Sequence, residues 1–180
     1  MEEDFREEIE KIRTGTADLI PEEELAEKLQ LAEEEERPLR VKLGVDPSSS
    51  DLTLGHAVVL RKLRQLQDLG HRAVMVVGDF TRRIGDPSGR SETREIMGAK
   101  EIEENMKDYE TQVFRILNPE KTEFRYNSEW LGKLGFEDII ELTSKYTVAR
   151  MLERDDFANR YESNKPISIL EFLYPLAQAS

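Results

Sequence analysis

The sequence predicts an α/β protein, a parallel β-sheet covered by helices, with a helical insertion after the third strand. Three observations lead there. Val41, Leu43 and Val45 alternate along Arg40–Asp46, a stretch that breaks at Pro47. Ala73 to Val77 is an unbroken apolar, valine-rich run, the pattern of a strand buried on both faces of a parallel sheet. Between them Val58, Val59, Leu63, Leu66 and Leu69 keep a helical period, and Gly70 follows where helices commonly end. Strand, loop, helix and strand within about forty residues make one βαβ unit.

The other elements follow in chain order. Phe5, Ile9 and Ile12 recur at three and four residues, so the acidic start reads as a helix. Pro21-Glu-Glu-Glu-Leu reads as a second helix start with Pro in its first turn. Glu33 to Glu36 is a run of like charge, a solvated face or loop. Pro47-Ser-Ser-Ser-Asp51 is a loop of turn formers, and a long loop rich in Gly, Pro and basic residues runs from Asp79 to Arg94. A helix is expected from about Lys100 to Leu117, and a third strand at Thr122–Tyr126. Beyond Trp130 the pattern is helical: Phe136 to Tyr146, Val148 to Tyr161, and Ile167 to the end. No repeat or low-complexity linker interrupts the chain. A single domain over residues 1–180 is therefore expected, with an N-terminal helical segment over 1–39 and a helical insertion at about 128–165.

Composition narrows the chemistry. With 180 residues, 38% hydrophobic and 36% charged, the chain has the balance of a globular domain. Lys and Arg number 26 against 38 Asp and Glu, and the net charge of −12 argues against bulk wrapping of nucleic acid or an anionic membrane. Cys is absent, which excludes disulfides, thiol nucleophiles and thiolate metal sites. His56 and His71 are too few for a histidine zinc cluster, so no protein-held metal is expected. The acidic MEEDFREEIEK start has no apolar core and no run approaches membrane-spanning length, so a cytoplasmic protein without a signal peptide is expected.

Three clusters could carry chemistry. In the first, Gly44 and Asp46 close the first strand, where open α/β sheets bind ligands, and Thr53-Leu-Gly55-His56 opens the following helix. Free backbone N–H groups and the helix dipole favour a phosphate there, Gly55 permits close approach, and His56 can donate to a phosphate oxygen. The plainer reading is that His56 only lines a helix start. In the second, Gly78-Asp-Phe-Thr81-Arg-Arg-Ile-Gly-Asp86-Pro-Ser-Gly-Arg90 follows the second strand. Thr81 offers a hydroxyl, Asp86 a carboxylate for an ammonium group, and Arg82, Arg83 and Arg90 positive charge; the same residues also make good turn chemistry. No Gly-Lys-Ser/Thr phosphate loop and no G-x-G-x-x-G fingerprint is present. In the third, Tyr174 and Gln178 lie four apart on the last helix and share a face. They could bond a small polar ligand, or be a packed Tyr and a solvent-facing Gln. His71, beside Gly70 in a turn, reads as structural.

Together these stretches resemble the bacterial tyrosyl-tRNA synthetases, class I aminoacyl-tRNA synthetases, over nearly the whole chain. The strongest matches are Lys42-Leu-Gly-Val-Asp-Pro, Leu54-Gly-His, Gly78-Asp-Phe-Thr with Ile-Gly-Asp-Pro-Ser-Gly-Arg-Ser, Tyr126-Asn-Ser-Glu-Trp-Leu, Thr147-Val-Ala-Arg-Met-Leu-Glu-Arg-Asp-Asp-Phe and Glu171-Phe-Leu-Tyr-Pro-Leu-Ala-Gln-Ala. The resemblance implies half of a Rossmann-like nucleotide fold and a ligase of protein biosynthesis that activates tyrosine with ATP, then passes it to tRNA. It implies Mg2+ with the ATP and no tightly bound cofactor. Gly44, Asp46, Gly55 and His56 then resemble the ATP and adenylate residues, with Thr53 and His56 in the catalytic motif. Thr81, Asp86, Tyr174 and Gln178 resemble those around the tyrosine.

The departures shape the expectation. Thr53 stands where the family's His-x-Gly-His motif has its first histidine, which weakens a γ-phosphate contact. Leu170 and Ser180 stand where related bacterial sequences usually have His and Tyr. The resemblance stops before the aspartate that reads the tyrosine hydroxyl, the second half of the fold, the Lys-Met-Ser-Lys-Ser-type loop and the tRNA-binding regions. A truncated amino-terminal fragment is therefore expected. The alternatives are a folded, non-catalytic or engineered module of that origin and a nucleotidylyltransferase. The family pairs through its insertion, and Trp130, Leu131, Leu134, Phe136, Ile139, Ile140 and Leu142 are an apolar group suited to a homodimer.

Overall fold

A computed structural model describes residues 5–46, 51–84, 104 and 108–179. Three strands, β1 (Arg40–Val45), β2 (Arg72–Val77) and β3 (Thr122–Tyr126), form one sheet in that spatial order. Arg72 N–H donates to Leu39 C=O at 2.9 Å and Gly78 N–H to Val45 C=O at 2.8 Å, so both strands advance together and the pair is parallel. The mixed helix and strand pattern and the parallel pair make the α/β architecture the sequence predicts. β2 lies between the other two, and that placement explains its composition. Ala73, Val74, Met75 and Val77 are all buried, whereas β1 alternates exposed and half-buried positions.

The described residues fall into two compact units. One holds those of Met1–Gly44, Asp51–Val76 and Asp108–Phe124; the other those of Val45–Ser50, Val77–Lys107 and Arg125–Ser180. In the first, helices α1 (Arg6–Arg13), α2 (Glu22–Glu34) and α3 (Leu54–Asp68) bury Ile12, Leu29 and Leu66 against Phe5, Ile9, Leu19, Leu25, Leu39, Val41 and Leu69. Each fully buried aliphatic side chain contributes about 1.5–3 kcal/mol. α3 ends as predicted, with Gly70 at φ +105°, a conformation that a side chain would strain. Its side chains also cap α1: Lys62 Nζ donates to the Ile12 carbonyl and, at 2.9 Å, to that of Thr14, while Gln65 Nε2 donates to the Lys11 carbonyl at 2.8 Å. Burial pulls the Lys62 ammonium below its ordinary value. His71 is buried with Nε2 2.9 Å from Glu8 Oε1, though out of line for a hydrogen bond, in keeping with its structural reading. Gln67, 1% exposed, donates to the carbonyls of Asn118 and Lys121 and to Thr122 Oγ1, tying down the turn that enters β3.

Of the span Lys100–Leu117, Glu104 and α4 (Tyr109–Val113) are helical, residues 114–117 form a turn, and the described residues hold no more of it than 104 and 108–117. Two other helix expectations need correction. The span Val148–Tyr161 is not one helix but two, α7 (Val148–Met151) and α8 (Asp155–Glu162), because Arg154 turns to an extended ψ of 133° and becomes the cap of α8. The acidic pair Asp155-Asp156 then sits in the first turn, where the dipole favours it. The second unit further contains α5 (Ser128–Leu131) and α6 (Phe136–Ser144). A 3-10 turn at Ile169–Phe172 leads into α9 (Leu173–Ala179), so the last helix starts later than Ile167.

Candidate active site

One candidate element, in the first unit, is the start of α3. Thr53 caps it: its hydroxyl accepts from the His56 N–H at 3.5 Å, and the His56 ring answers by taking the Thr53 N–H on Nδ1 at 3.0 Å. Thr53 Oγ1 lies 2.9 Å from the same Nδ1. An imidazole nitrogen facing an N–H must accept, so the ring proton belongs on Nε2. Thr53 is thus the partner that sets the tautomer of His56 and leaves Nε2–H as its donor. Part of the plainer reading of His56 therefore stands, because one of its two nitrogens belongs to the cap. Gly55 lies in the same first turn, and among the described residues no acceptor faces the N–H of Leu54 or Gly55. Gly44, near the end of β1, is exposed beside Lys42, whose Nζ would stand 3.2 Å from a Cβ there.

A separate candidate element, in the second unit, is built where three strands end. Gly78 N–H bonds Val45 C=O, and Asn127 N–H bonds Val77 C=O at 3.0 Å, so the residues leaving β1, β2 and β3 sit side by side. Asp46 follows β1 and is half-buried. Its Oδ2 accepts from the hydroxyl of Tyr174 on α9 at 2.8 Å, and its Oδ1 makes a longer 3.4 Å contact with Thr81 Oγ1. Thr81, 2% exposed in the 3-10 turn Thr81–Arg83, also accepts from Asn127 Nδ2 at 2.8 Å. Asn127 Oδ1 takes the Phe80 N–H at 2.8 Å, and Asp79 Oδ1 takes the Ser128 N–H at 2.9 Å. A chain of polar bonds thus joins Tyr174, Asp46, Thr81 and Asn127, each from a different element. Gly78 makes it possible: a Cβ there would lie 2.6 Å from Thr81 Oγ1 and closer still to Asp46 Oδ1.

Asp46, Thr81 and Tyr174 are therefore brought together, although the sequence grouped Asp46 with the phosphate residues. Tyr174 is 5% exposed, while Gln178 on the same helix is exposed. Asp86 lies outside the described residues, as do Arg90 and Ser180, and Arg82 is buried. Asn127 is a site residue that the sequence reading does not single out; its signal is position, since it directly follows a strand as Asp46 and Gly78 do. No group of three or more His, Asp or Glu among the described residues is arranged to hold a metal ion, and no helix among them is long and apolar enough to cross a membrane. Two surface clefts of about 340 and 370 Å³ lie among the N-terminal helices, and neither is lined by a candidate residue.

The chain is similar to several known proteins. The tyrosine–tRNA ligase of Thermotoga maritima is 58% identical over 173 residues, covering 96% of this chain and 42% of its own length. That of Salinibacter ruber is 60% identical over 168 residues, covering 93% and 41%. The chain thus spans less than half the length of these relatives. Among solved structures, the tyrosyl-tRNA synthetase of Archaeoglobus fulgidus, complexed with L-tyrosine, superposes with a TM-score of 0.71 at 25% identity, over 98% of this chain and 51% of that one. A C-terminally truncated mitochondrial tyrosyl-tRNA synthetase from Aspergillus nidulans gives 0.67 at 26% identity, over 78% and 44%. The family profile that matches residues 34–180 is described as tRNA synthetases class I (W and Y). With that profile matching most of its length, the chain belongs to the class I tRNA synthetases of the tryptophan and tyrosine group.

Proposed function

We propose that this chain carries the amino-terminal catalytic part of a tyrosine–tRNA ligase, which activates tyrosine with ATP and passes it to tRNA. The observation that carries the reading is the Tyr174–Asp46–Thr81 chain of bonds at the strand ends, in a sequence more than half identical to named tyrosine–tRNA ligases. On this reading Thr81, Asp86, Tyr174 and Gln178 surround the amino acid, with Asp86, Tyr174 and Gln178 near its ammonium group. Gly44, Asp46, Gly55 and His56 serve ATP and the adenylate, and Mg2+ accompanies the ATP.

The chemistry is positional and electrostatic. A tyrosine carboxylate oxygen attacks the α-phosphorus of ATP in line; the new O–P bond forms as the α–β bridging P–O bond breaks, and pyrophosphate leaves with the electron pair. No protein nucleophile is needed, and the chain has no Cys to supply one. His56 contributes Nε2–H, held outward by Thr53, and the start of α3 contributes backbone N–H groups. Removing a charge-assisted donor of this kind costs about 1.5–3 kcal/mol, roughly a ten- to hundred-fold loss.

The test is amino-acid-dependent ATP–pyrophosphate exchange together with equilibrium dialysis of L-tyrosine and ATP. Tyrosine is expected to bind and to drive exchange where its des-amino analogue, which lacks the ammonium group, does not, and His56→Ala to weaken ATP at least ten-fold. Absence of both tyrosine binding and tyrosine-dependent exchange overturns the assignment and favours the non-catalytic module. We further propose a homodimer through α6: Phe136 and Ile140, one turn apart, are 80% and 53% exposed, whereas Leu131 is buried. Sedimentation equilibrium of Phe136→Glu with Ile140→Glu checks it, and an unpaired 20.9 kDa parent would end it.

A further inference from the structure

The turn that delivers Tyr174 is held by a buried ion pair. Arg160 on α8, 2% exposed, forks onto Glu171, 4% exposed: Nη1 bonds Glu171 Oε2, and Nη2 lies 3.2 Å from Oε1. Nη2 also donates to the Pro166 carbonyl. Glu171 Oε1 in turn accepts the Ser168 N–H at 3.0 Å, closing the capping box of the 3-10 turn Ile169–Phe172. On that turn Phe172 meets Phe157 of α8 edge-on, with ring centroids 4.9 Å apart. Tyr174 stands three residues beyond Glu171, with its hydroxyl on Asp46.

Stability alone is a poor account of such a pair. Desolvating two ions offsets most of their attraction, and well-packed apolar residues often serve as well or better. What a two-pronged guanidinium–carboxylate contact supplies is direction, because both planes and both distances are fixed together. Here that direction belongs to the first residues of α9. The Tyr174 hydroxyl lies far from its own backbone, so a tilt of about 10° at the turn moves it by roughly 1 Å, enough to open a hydrogen bond.

We propose that Arg160 and Glu171 are positioning residues: they touch no ligand, but set the approach of α9 so that the Tyr174 hydroxyl meets Asp46 on the amino-acid side of the site. The assignment of that side rests on the function proposed above. The placement of the hydroxyl does not, and the two are tested separately.

Placement is read without ligand. Tyr174→Phe is made in the parent, in Glu171→Gln and in Arg160→Lys, and urea midpoints are compared after circular dichroism shows each protein folded. In the parent, Tyr174→Phe is expected to lower the midpoint; in either background the drop is expected to shrink by at least half. If Arg160→Lys does not fold, Glu171→Gln decides alone, since it keeps the shape and an acceptor for Ser168. Leu29→Ala, which empties a buried site in the other unit, is the control and should leave the drop unchanged. No drop in the parent, an undiminished drop in Glu171→Gln, or the same halving in Leu29→Ala overturns the proposal. The functional arm is equilibrium dialysis of Glu171→Gln: the Kd for L-tyrosine is expected to rise at least ten-fold while that for ATP changes less than two-fold. An equal loss of both means a structural role and overturns it. A parent that binds no tyrosine sinks the tyrosine reading, and the urea comparison still judges the placement.

Discussion

Asn127 is the side chain that joins the end of β3 to the site, and removing it has a calculable cost. It is 5% exposed and makes two side-chain bonds of 2.8 Å, accepting from Phe80 N–H and donating to Thr81 Oγ1. Each such bond is worth about 0.5–1.5 kcal/mol net, and leaving a buried polar group without its partner adds about 1–3 kcal/mol. Asn127→Ala should therefore lose about 2–6 kcal/mol. With a urea dependence of about 2 kcal/mol per molar, the midpoint falls by roughly 1–3 M. Asn127→Asp refines the argument. The aspartate can still accept from Phe80, but it cannot donate to Thr81, and it sets a second carboxylate on a hydroxyl that already faces Asp46. Like charges oppose ionisation, so the deficit of Asn127→Asp should grow as pH rises through the ordinary carboxylate range. Urea unfolding followed by circular dichroism at pH 5 and pH 8 measures both effects. A midpoint within about 0.3 M of the parent for Asn127→Ala would refute the bonding scheme, since no arrangement of two lost buried bonds is that small.

Other substitutions probe neighbouring contacts. Gly78→Ala forces a methyl against Asp46 Oδ1 and Thr81 Oγ1, so a loss of about 1–3 kcal/mol in urea is expected, together with weaker tyrosine binding in dialysis; a neutral outcome would show that Asp46 can move aside freely. Thr53→Ala removes the hydroxyl that caps α3 and lies beside His56 Nδ1, while the backbone N–H on Nδ1 stays, with about 1 kcal/mol expected by thermal melting; Thr53→Ser should be close to neutral. Glu129 is held below the ordinary carboxylate value first by its bond to Arg125 and then by the Tyr126 N–H, each at 2.8 Å. Because its folded value is the lower one, its contribution is present above the ordinary value and lost as pH falls through the lowered one. Glu129→Gln should cost about 0.5 kcal/mol at pH 7, as befits an exposed pair, and nothing in acid; a deficit independent of pH would contradict the ion pair.

Much of the architecture was legible because it is written in burial. The run Ala73–Val77 announced a strand covered on both faces, and β2 does lie between β1 and β3. Asp46 could be placed at the mouth of the sheet because it ends a strand, and Gly70 marked the end of α3. What stayed hidden depends on partners distant in sequence. Nothing near Asp46 says that its carboxylate receives a hydroxyl from a residue 128 positions later. Asn127 directly follows β3, and nothing local ties its amide to the residues that leave β2. The break between α7 and α8 carries no Gly or Pro; its local trace is the acidic pair Asp155-Asp156, which is legible only as a helix start once the helix is known to begin there. Arg160 and Glu171 are eleven positions apart with no local pattern pairing them, and their burial emerges only where α8 meets the turn before α9.

The capping of α1 by Lys62 and Gln65 has a consequence for what that helix is. Eight residues make too short a helix to persist alone in water. Its closing carbonyls find their donors fifty or more positions away, and its apolar face is completed by Leu29 and Leu66. α1 therefore behaves as a bound peptide that happens to share the chain, joined by a leash from Thr14 to Pro21 that keeps it at an effective concentration of about millimolar. A protease that cuts the leash near Asp18 would convert an intramolecular contact into a bimolecular one. The helix would then dissociate on dilution, and a synthetic copy of residues 5–14, supplied in excess, would restore it.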